Sequence, residues 1–186
     1  ESDNGVTAHD KPLLATNQLD LLFEMGVRAE DDPRIDGLLD QMLAHSDGDG
    51  RFQMLAAERG GAVPRWGALL CDTHAILDML LAYGRGDDPR VHRALETSIA
   101  DLRHTDQGLA WPCRAPTGTT WRGPGRVGEC CPQTTLEALR AFSRLPRDQQ
   151  PPEILEVAQT ALGVWRTRGS RKPYMFGHGR QFKQVK

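Results

Sequence analysis

The sequence predicts an all-α fold made of three helix pairs. Three observations carry this: a Pro-led amphipathic segment that recurs along the chain, a more apolar segment before each recurrence, and Gly-rich aromatic turns between pairs. Asp31-Asp32-Pro33-Arg34 leads into IDGLLDQML, and Asp87-Asp88-Pro89-Arg90 leads into VHRALETSIADL. A degraded third copy starts at Pro151-Pro152 and runs through EILEVAQTALGVW. Proline suits the first helical turn because its missing N–H would have no partner there, and an aspartate before it can cap that turn.

Each recurrence carries an apolar stripe at spacings of three and four, which places it on one helix face. The stripes are Ile35, Leu38, Leu39, Met42 and Leu43, then Val91, Leu95, Ile99 and Leu102, then Ile154, Ala158, Ala161, Leu162 and Trp165. The preceding helices are expected over Thr16 to Met25, Cys71 to Tyr83 and Thr134 to Leu145, stopped by Gly26, Gly84 and Pro146. The middle one is apolar nearly all round, with Ile76, Leu77, Met79, Leu80, Leu81 and Tyr83, so it is expected to be buried on most sides. Buried helices alternating with amphipathic ones read as inner and outer members of a curved α/α layer, in pairs spanning about 13–55, 67–112 and 131–176.

The turns Asp47-Gly48-Asp49-Gly50-Arg51-Phe52 and Asp106-Gln107-Gly108-Leu109-Ala110-Trp111 join one pair to the next, and Pro173-Tyr174-Met175-Phe176-Gly177 ends the third. Their glycines permit tight turns, and their aromatics can plug the gap between pairs. The stretch 111–128 is long, rich in Gly, Pro and Arg, and without period, which marks a functional or disordered loop.

At 186 residues, 1–186 is read as a single domain. Twenty-five acidic against 23 basic residues leave a formal charge of -2, so nucleic acid is not an expected partner. No apolar run approaches the roughly 20 residues of a membrane span, and the first residues lack the features of a signal peptide, so a cytoplasmic location is expected. The four cysteines include an adjacent pair, Cys130-Cys131, which argues for reduced thiols or metal ligands over a disulfide framework.

Inner and outer helices separated by aspartate, glycine and aromatic turns resemble the repeat of squalene-hopene cyclases and of protein prenyltransferase β subunits. DGRF, the WPC followed by CPQTTLEALRAFSRLP, and RKPYMFGHGRQFKQVK are similar to prokaryotic prenyltransferase-like or squalene-cyclase-like proteins, over roughly residues 13–186. The resemblance implies an α/α toroid and an isoprenoid or other apolar substrate. It departs in two ways: the DxDD acid motif of the cyclases is missing, and about three helix pairs stand where a full toroid takes five or six. A partial barrel is therefore expected, either a fragment or a chain completed by self-association or by a protein partner.

Cys71, His74 and Asp78 fall on one face of the central inner helix, at i, i+3 and i+7. Neighbouring inner helices would bring Cys113, Cys130 and Cys131 near them, and Cys71, His74, Cys113 and Cys130 or Cys131 would suit tetrahedral zinc. The resemblance implies the same metal, since protein prenyltransferases hold zinc through Asp, Cys and His, although the order and spacing here differ. Two other readings stand beside it: cysteines packed as small hydrophobes, or a reactive thiol activated at a helix N-terminus. Trp111, Trp121, Arg122 and Arg126, with Arg114, are candidates to hold a ligand bearing a diphosphate, and His178 between two glycines is a candidate base. Arg166, Arg168, Arg171, Lys172, Arg180, Lys183 and Lys186 read first as a solvated basic face.

Two functions follow. One is a prenyltransferase-like or terpene-cyclase-like toroid with an apolar ligand in its concavity and a Cys/His zinc site. The other is a noncatalytic helical repeat module binding a peptide or subunit, which predicts scattered cysteines and an exposed apolar edge. A glycosidase-like barrel would need opposed carboxylates, and Asp47, Asp49 and Asp106 read better as turn residues.

Overall fold

The computed structural model describes residues 14–56, 65–113 and 128–170. Its helices are α1 (Ala15–Glu24), α2 (Pro33–Ala44), α3 (Leu70–Ala82), α4 (Pro89–Ala100), α5 (Pro132–Ser143) and α6 (Glu153–Arg166). The helices expected as inner (α1, α3, α5) and as outer (α2, α4, α6) follow one another along the chain as the repeat predicts. The capping logic holds in the first two pairs. Asp32 accepts the Arg34 N–H at 2.9 Å and Asp88 accepts that of Arg90 at 2.8 Å, each with proline in the first turn. In the third pair Pro152 stands at the N-cap and no side chain caps the helix.

The central helix α3 contacts α1, α2, α4 and, most extensively, α5. Its apolar composition is explained by this enclosure: Leu70, Ile76, Leu77, Met79 and Leu80 are all buried. The core divides around it. One cluster joins α1, α2 and α3 through Leu19, Leu39, Met42, Phe52 and Leu77; the other joins α3, α5 and α6 through Leu70, Trp111, Ala138, Phe142 and Val157. The aromatic of each inter-pair turn is a plug. Phe52 is fully buried, its carbonyl accepting the Thr73 hydroxyl at 2.8 Å.

The expectation of an all-α fold is corrected by two short antiparallel hairpins. β1 (Met54–Ala56) pairs with β2 (Arg65–Gly67), and β3 (Arg103–Thr105) pairs with β4 (Gly108–Ala110). The chain leaving an outer helix has backbone groups without helical partners, and folding back on itself satisfies them. Three-residue strands are too short for a period of two to register in the sequence. The β3–β4 turn presses against α6: Gly108 has φ +123°, and a Cβ there would lie 2.5 Å from the Thr160 hydroxyl. Only glycine allows both.

This contact also rotates α6 from the expected stripe. Val157, Thr160 and Val164 are buried, whereas Leu162 is exposed on the same side as Leu155. The turn aspartates behave as read from sequence. Asp47 accepts the N–H groups of Asp49 and Arg51, and buried Arg51 then forms a two-point pair with Asp101, at 2.7 Å for each bond. That pair ties the first inter-pair turn to the end of α4. Among the described residues, no helix is long and apolar enough to cross a membrane.

Candidate functional site

Chemistry-bearing side chains gather where α3 and α5 begin and along the face these helices share with α1. The start of α5 is held by the preceding turn. The Cys131 N–H donates to the Trp111 carbonyl at 3.0 Å, and the Cys130 N–H donates to the Gln107 side-chain oxygen at 2.8 Å. Pro132 occupies the first helical position, leaving Cys131 as N-cap. This brings Cys113, two residues beyond Trp111, against Cys131, and the Cys113 thiol hydrogen-bonds to the Cys131 sulfur.

That bond, together with the Thr134 hydroxyl and the N–H groups of Thr134 and Gln133, pulls the Cys131 thiol down to about 6 against the cost of burial. Cys71 goes the other way. Burial first, then the Asp72 carboxylate and the nearby Cys131, push its thiol well above the usual value. Its sulfur lies 3.8 Å from Asp72 Oδ1.

The five candidate metal ligands are thus only partly brought together. Cys113 and Cys131 touch, and Cys71 is within their electrostatic reach. His74 lies elsewhere, fully enclosed, with Nε2 2.7 Å from the Ser98 hydroxyl and its ring meeting Trp111 edge-on at 5.3 Å. Burial drives it down to about 3, so it is neutral at ordinary pH. Cys130 packs with Ala110 and Val164 and lies 3.4 Å from the Thr135 hydroxyl. Among the described residues, no three His, Cys, Asp or Glu side chains converge as metal ligands.

Trp111, expected to line a ligand-binding loop, is instead fully buried. Its indole N–H donates to the Ser98 carbonyl at 2.7 Å, and its ring stacks on Phe142 at 5.9 Å. A ring so enclosed is a packing element between α3, α4 and α5. Trp121, Arg122, Arg126 and His178, with Arg114 and the basic residues from Arg171 onward, lie outside the described residues.

Beyond the thiols, the shared face carries a charge network that sequence reasoning missed. Asp78, buried within α3, accepts from Arg144 Nε at 2.8 Å and forms an ion pair with Arg140, Nε to Oδ2 3.1 Å. Arg140 also pairs with Asp20 of α1, and lies 3.6 Å from Glu24. Arg140 on α5 therefore reaches across to α1, linking all three inner helices. Glu137 sits one turn before Arg140 and accepts from Gln133 at 2.6 Å. Burial raises its carboxyl, Arg140 opposes the rise, and Asp78, Asp20 and Asp72 add to it. The available signal was the row Gln133, Glu137, Arg140, Arg144 on a helix expected to be mostly buried. An open cleft near α4, lined by Asp49, Arg51, Arg93, Thr97, Ala100, Asp101 and Arg103, is bounded by the Arg51–Asp101 pair. Comparison with known protein families, curated proteins and solved structures returned no match to this chain.

Proposed function

We propose that this chain is part of an α/α-toroid protein of the prenyltransferase-like or terpene-cyclase-like kind, which binds an apolar small molecule on the face shared by α1, α3 and α5. The observation that supports this is the linkage of the three inner helices into one face, with α3 central and the outer helices elsewhere. That face carries partly exposed Cys71, Ala75, Glu137 and Arg140, and exposed Leu136.

Charge decides what the ligand is. Among the described residues, Asp20, Glu24 and Asp78 lie with Arg140, Asp78 also pairs with Arg144, and Asp72 and Glu137 add to the negative charge around them. A face of that balance repels a diphosphate and accepts a neutral or cationic apolar group. Farnesol and farnesyl diphosphate, titrated in parallel and followed by intrinsic tryptophan fluorescence and calorimetry, test the reading. It expects saturable farnesol binding, at least about tenfold weaker in Leu136→Glu, because a buried unpaired carboxylate replaces apolar contact. No saturable binding, or binding unchanged in Leu136→Glu, overturns it.

The second reading, a noncatalytic helical repeat module, has its own observation. Leu21 and Met25 on α1, and Leu155 and Leu162 on α6, are exposed at the two ends of the helix array, where α3 and α4 leave no large apolar side chain exposed. Light scattering after gel filtration tests it. Assembly abolished by Leu155→Lys with Leu162→Lys, with farnesol binding absent, would favour this reading over the first.

A further inference from the structure

The cleft beside α4, about 380 Å³ in volume, holds two arginines in fixed positions. Arg93, Thr97 and Ala100 recur at i, i+4 and i+7, so they share one face of α4, and the first inter-pair turn and the first residue of β3 line the cleft with them. Three contacts fix the turn to the helix. Thr97 Oγ1 donates to the Asp49 carbonyl at 2.6 Å, Arg93 Nη2 donates to the Gly48 carbonyl at 3.2 Å, and Arg51 pairs with Asp101. The Arg93 stem lies so close over the turn that a Cβ at Gly50, where φ is +96°, would come within 2.7 Å of its Cγ. Only glycine permits that approach. Arg103 is held by carbonyls as well: its Nη1 donates to those of Ala100 and Leu102 at 2.7 and 2.5 Å. Each guanidinium is therefore oriented through one nitrogen by backbone oxygen. Among the described residues, Nε and the other Nη of each have no hydrogen-bond partner.

We infer that this cleft binds the phosphate group of a small molecule between Arg93 and Arg103. A guanidinium is always charged and presents its donors as a planar fork. A carboxylate has two oxygens, which one fork occupies. A phosphate monoester has three and carries a charge of about -1.5 to -2, so it satisfies two forks at once. Exposed Ala100 adds little bulk and no polar group to the cleft. Three carboxylates lie nearby, and all are engaged by Arg51: Asp101 through two bonds at 2.7 Å, Asp49 at 2.8 Å and Asp47 at 3.4 Å. The side chains of Asp101 and Asp47 are enclosed, at 2% and 11% exposure, so Asp49 is the one of the three that meets solvent. Arg93 and Arg103, both exposed, outnumber it, and positive charge prevails at the mouth of the cleft. None of the residues lining the cleft belongs to α1, α3 or α5, so this site is separate from the face proposed for the apolar ligand.

The test is calorimetric titration of the full chain with inorganic phosphate at constant ionic strength, with acetate in parallel. Phosphate should bind saturably and acetate more weakly. Arg93→Gln and Arg103→Gln should each weaken phosphate binding at least about tenfold, the worth of a hydrogen bond between charged groups. Arg147→Gln, which removes an exposed arginine elsewhere, should leave it unchanged. Ala100→Glu should abolish it by placing a carboxylate in the cleft while both arginines remain. Should a variant fail to fold, the parent protein carries the test through its arginine Nε–H resonances: those of Arg93 and Arg103 should move as phosphate is added, and that of Arg147 should not. No saturable phosphate binding, acetate binding as tightly as phosphate, an equal loss in Arg147→Gln, or stationary Arg93 and Arg103 resonances would each overturn the assignment. Farnesol binding, measured on the same variants, should be unaffected, and its absence from the parent protein would overturn the apolar-ligand reading alone.

Discussion

At the start of α3, Cys71 follows Leu70 and precedes Asp72; at the start of α5, Cys131 precedes Pro132, Gln133 and Thr134. Both cysteines lie in the first turn or cap of an inner helix, and both are exposed to the same favourable end of a helix dipole. Their thiols nevertheless move in opposite directions. The dipole is therefore not what separates them. At α3 burial and then a carboxylate disfavour the thiolate, whereas at α5 a thiol, a hydroxyl and amide N–H groups that donate to it outweigh burial. Helix position supplies a small common bias, and hydrogen-bond donors decide the sign.

Breaking the scaffold that makes the difference should have the largest effect. Trp111→Ala removes a fully buried indole from between α3, α4 and α5 and takes one of two donors from the Ser98 carbonyl, leaving it the Asp101 N–H. A loss of about 3–5 kcal/mol is expected in urea unfolding. In whatever fraction stays folded, the pH midpoint of Cys131 alkylation by iodoacetamide should climb toward that of an ordinary thiol, because the chain at 111–113 is no longer fixed. A stability loss with no movement of that midpoint would show that the α5 corner assembles without its platform.

His74 sharpens the comparison from the α3 side through pH. Its folded-state value of about 3 lies below the 6.5 of the unfolded chain, so the unfolded state binds the proton first. Stability from this group is complete above about pH 6.5 and drains away as pH falls toward 3, at up to about 1.4 kcal/mol per pH unit. Urea midpoints measured across that window should fall in the parent protein and fall less steeply in His74→Gln. Equal slopes would mean that other groups dominate acid unfolding.

Smaller changes act on the thiols themselves. Cys113→Ala removes the largest influence that lowers Cys131 and should shift its alkylation midpoint upward, leaving Cys71 where it was. Thr134→Val removes a lesser donor at a similar side-chain size and should shift the same midpoint by less. Reversal of that order, with Thr134→Val the more damaging, would place the hydroxyl rather than the second thiol at the centre of the site.

The six helices were legible because each carries its own signals: Pro33 and Pro89 inside the first turns, Asp32 and Asp88 as caps, Gly26 and Gly84 as stops. The hairpins were not, since Arg103–Thr105 and Gly108–Ala110 are too short to show a period, and their turn reads equally as an irregular loop. The stripe of α6 was misassigned because Leu162 looks like a core residue until the β3–β4 turn claims the opposite face through Thr160. At the candidate site the residue types were visible and their grouping was not. Cys71 and His74 share a helix face at three-residue spacing, yet one turns toward α5 and the other toward α4.

By itself the sequence determined the six helices, the enclosure of α3 and the aromatic plugs at Phe52 and Trp111. Periodicity, capping and turn preference act over a few neighbouring residues and are written locally. Only the tertiary structure decided that Arg140 would join Asp20 to Asp78, that Arg51 would meet Asp101, and that Cys113 would rest on Cys131 while His74 turned away. Those pairings depend on which helices become neighbours and in what rotation. That is settled by packing of the whole core, and no single segment carries it.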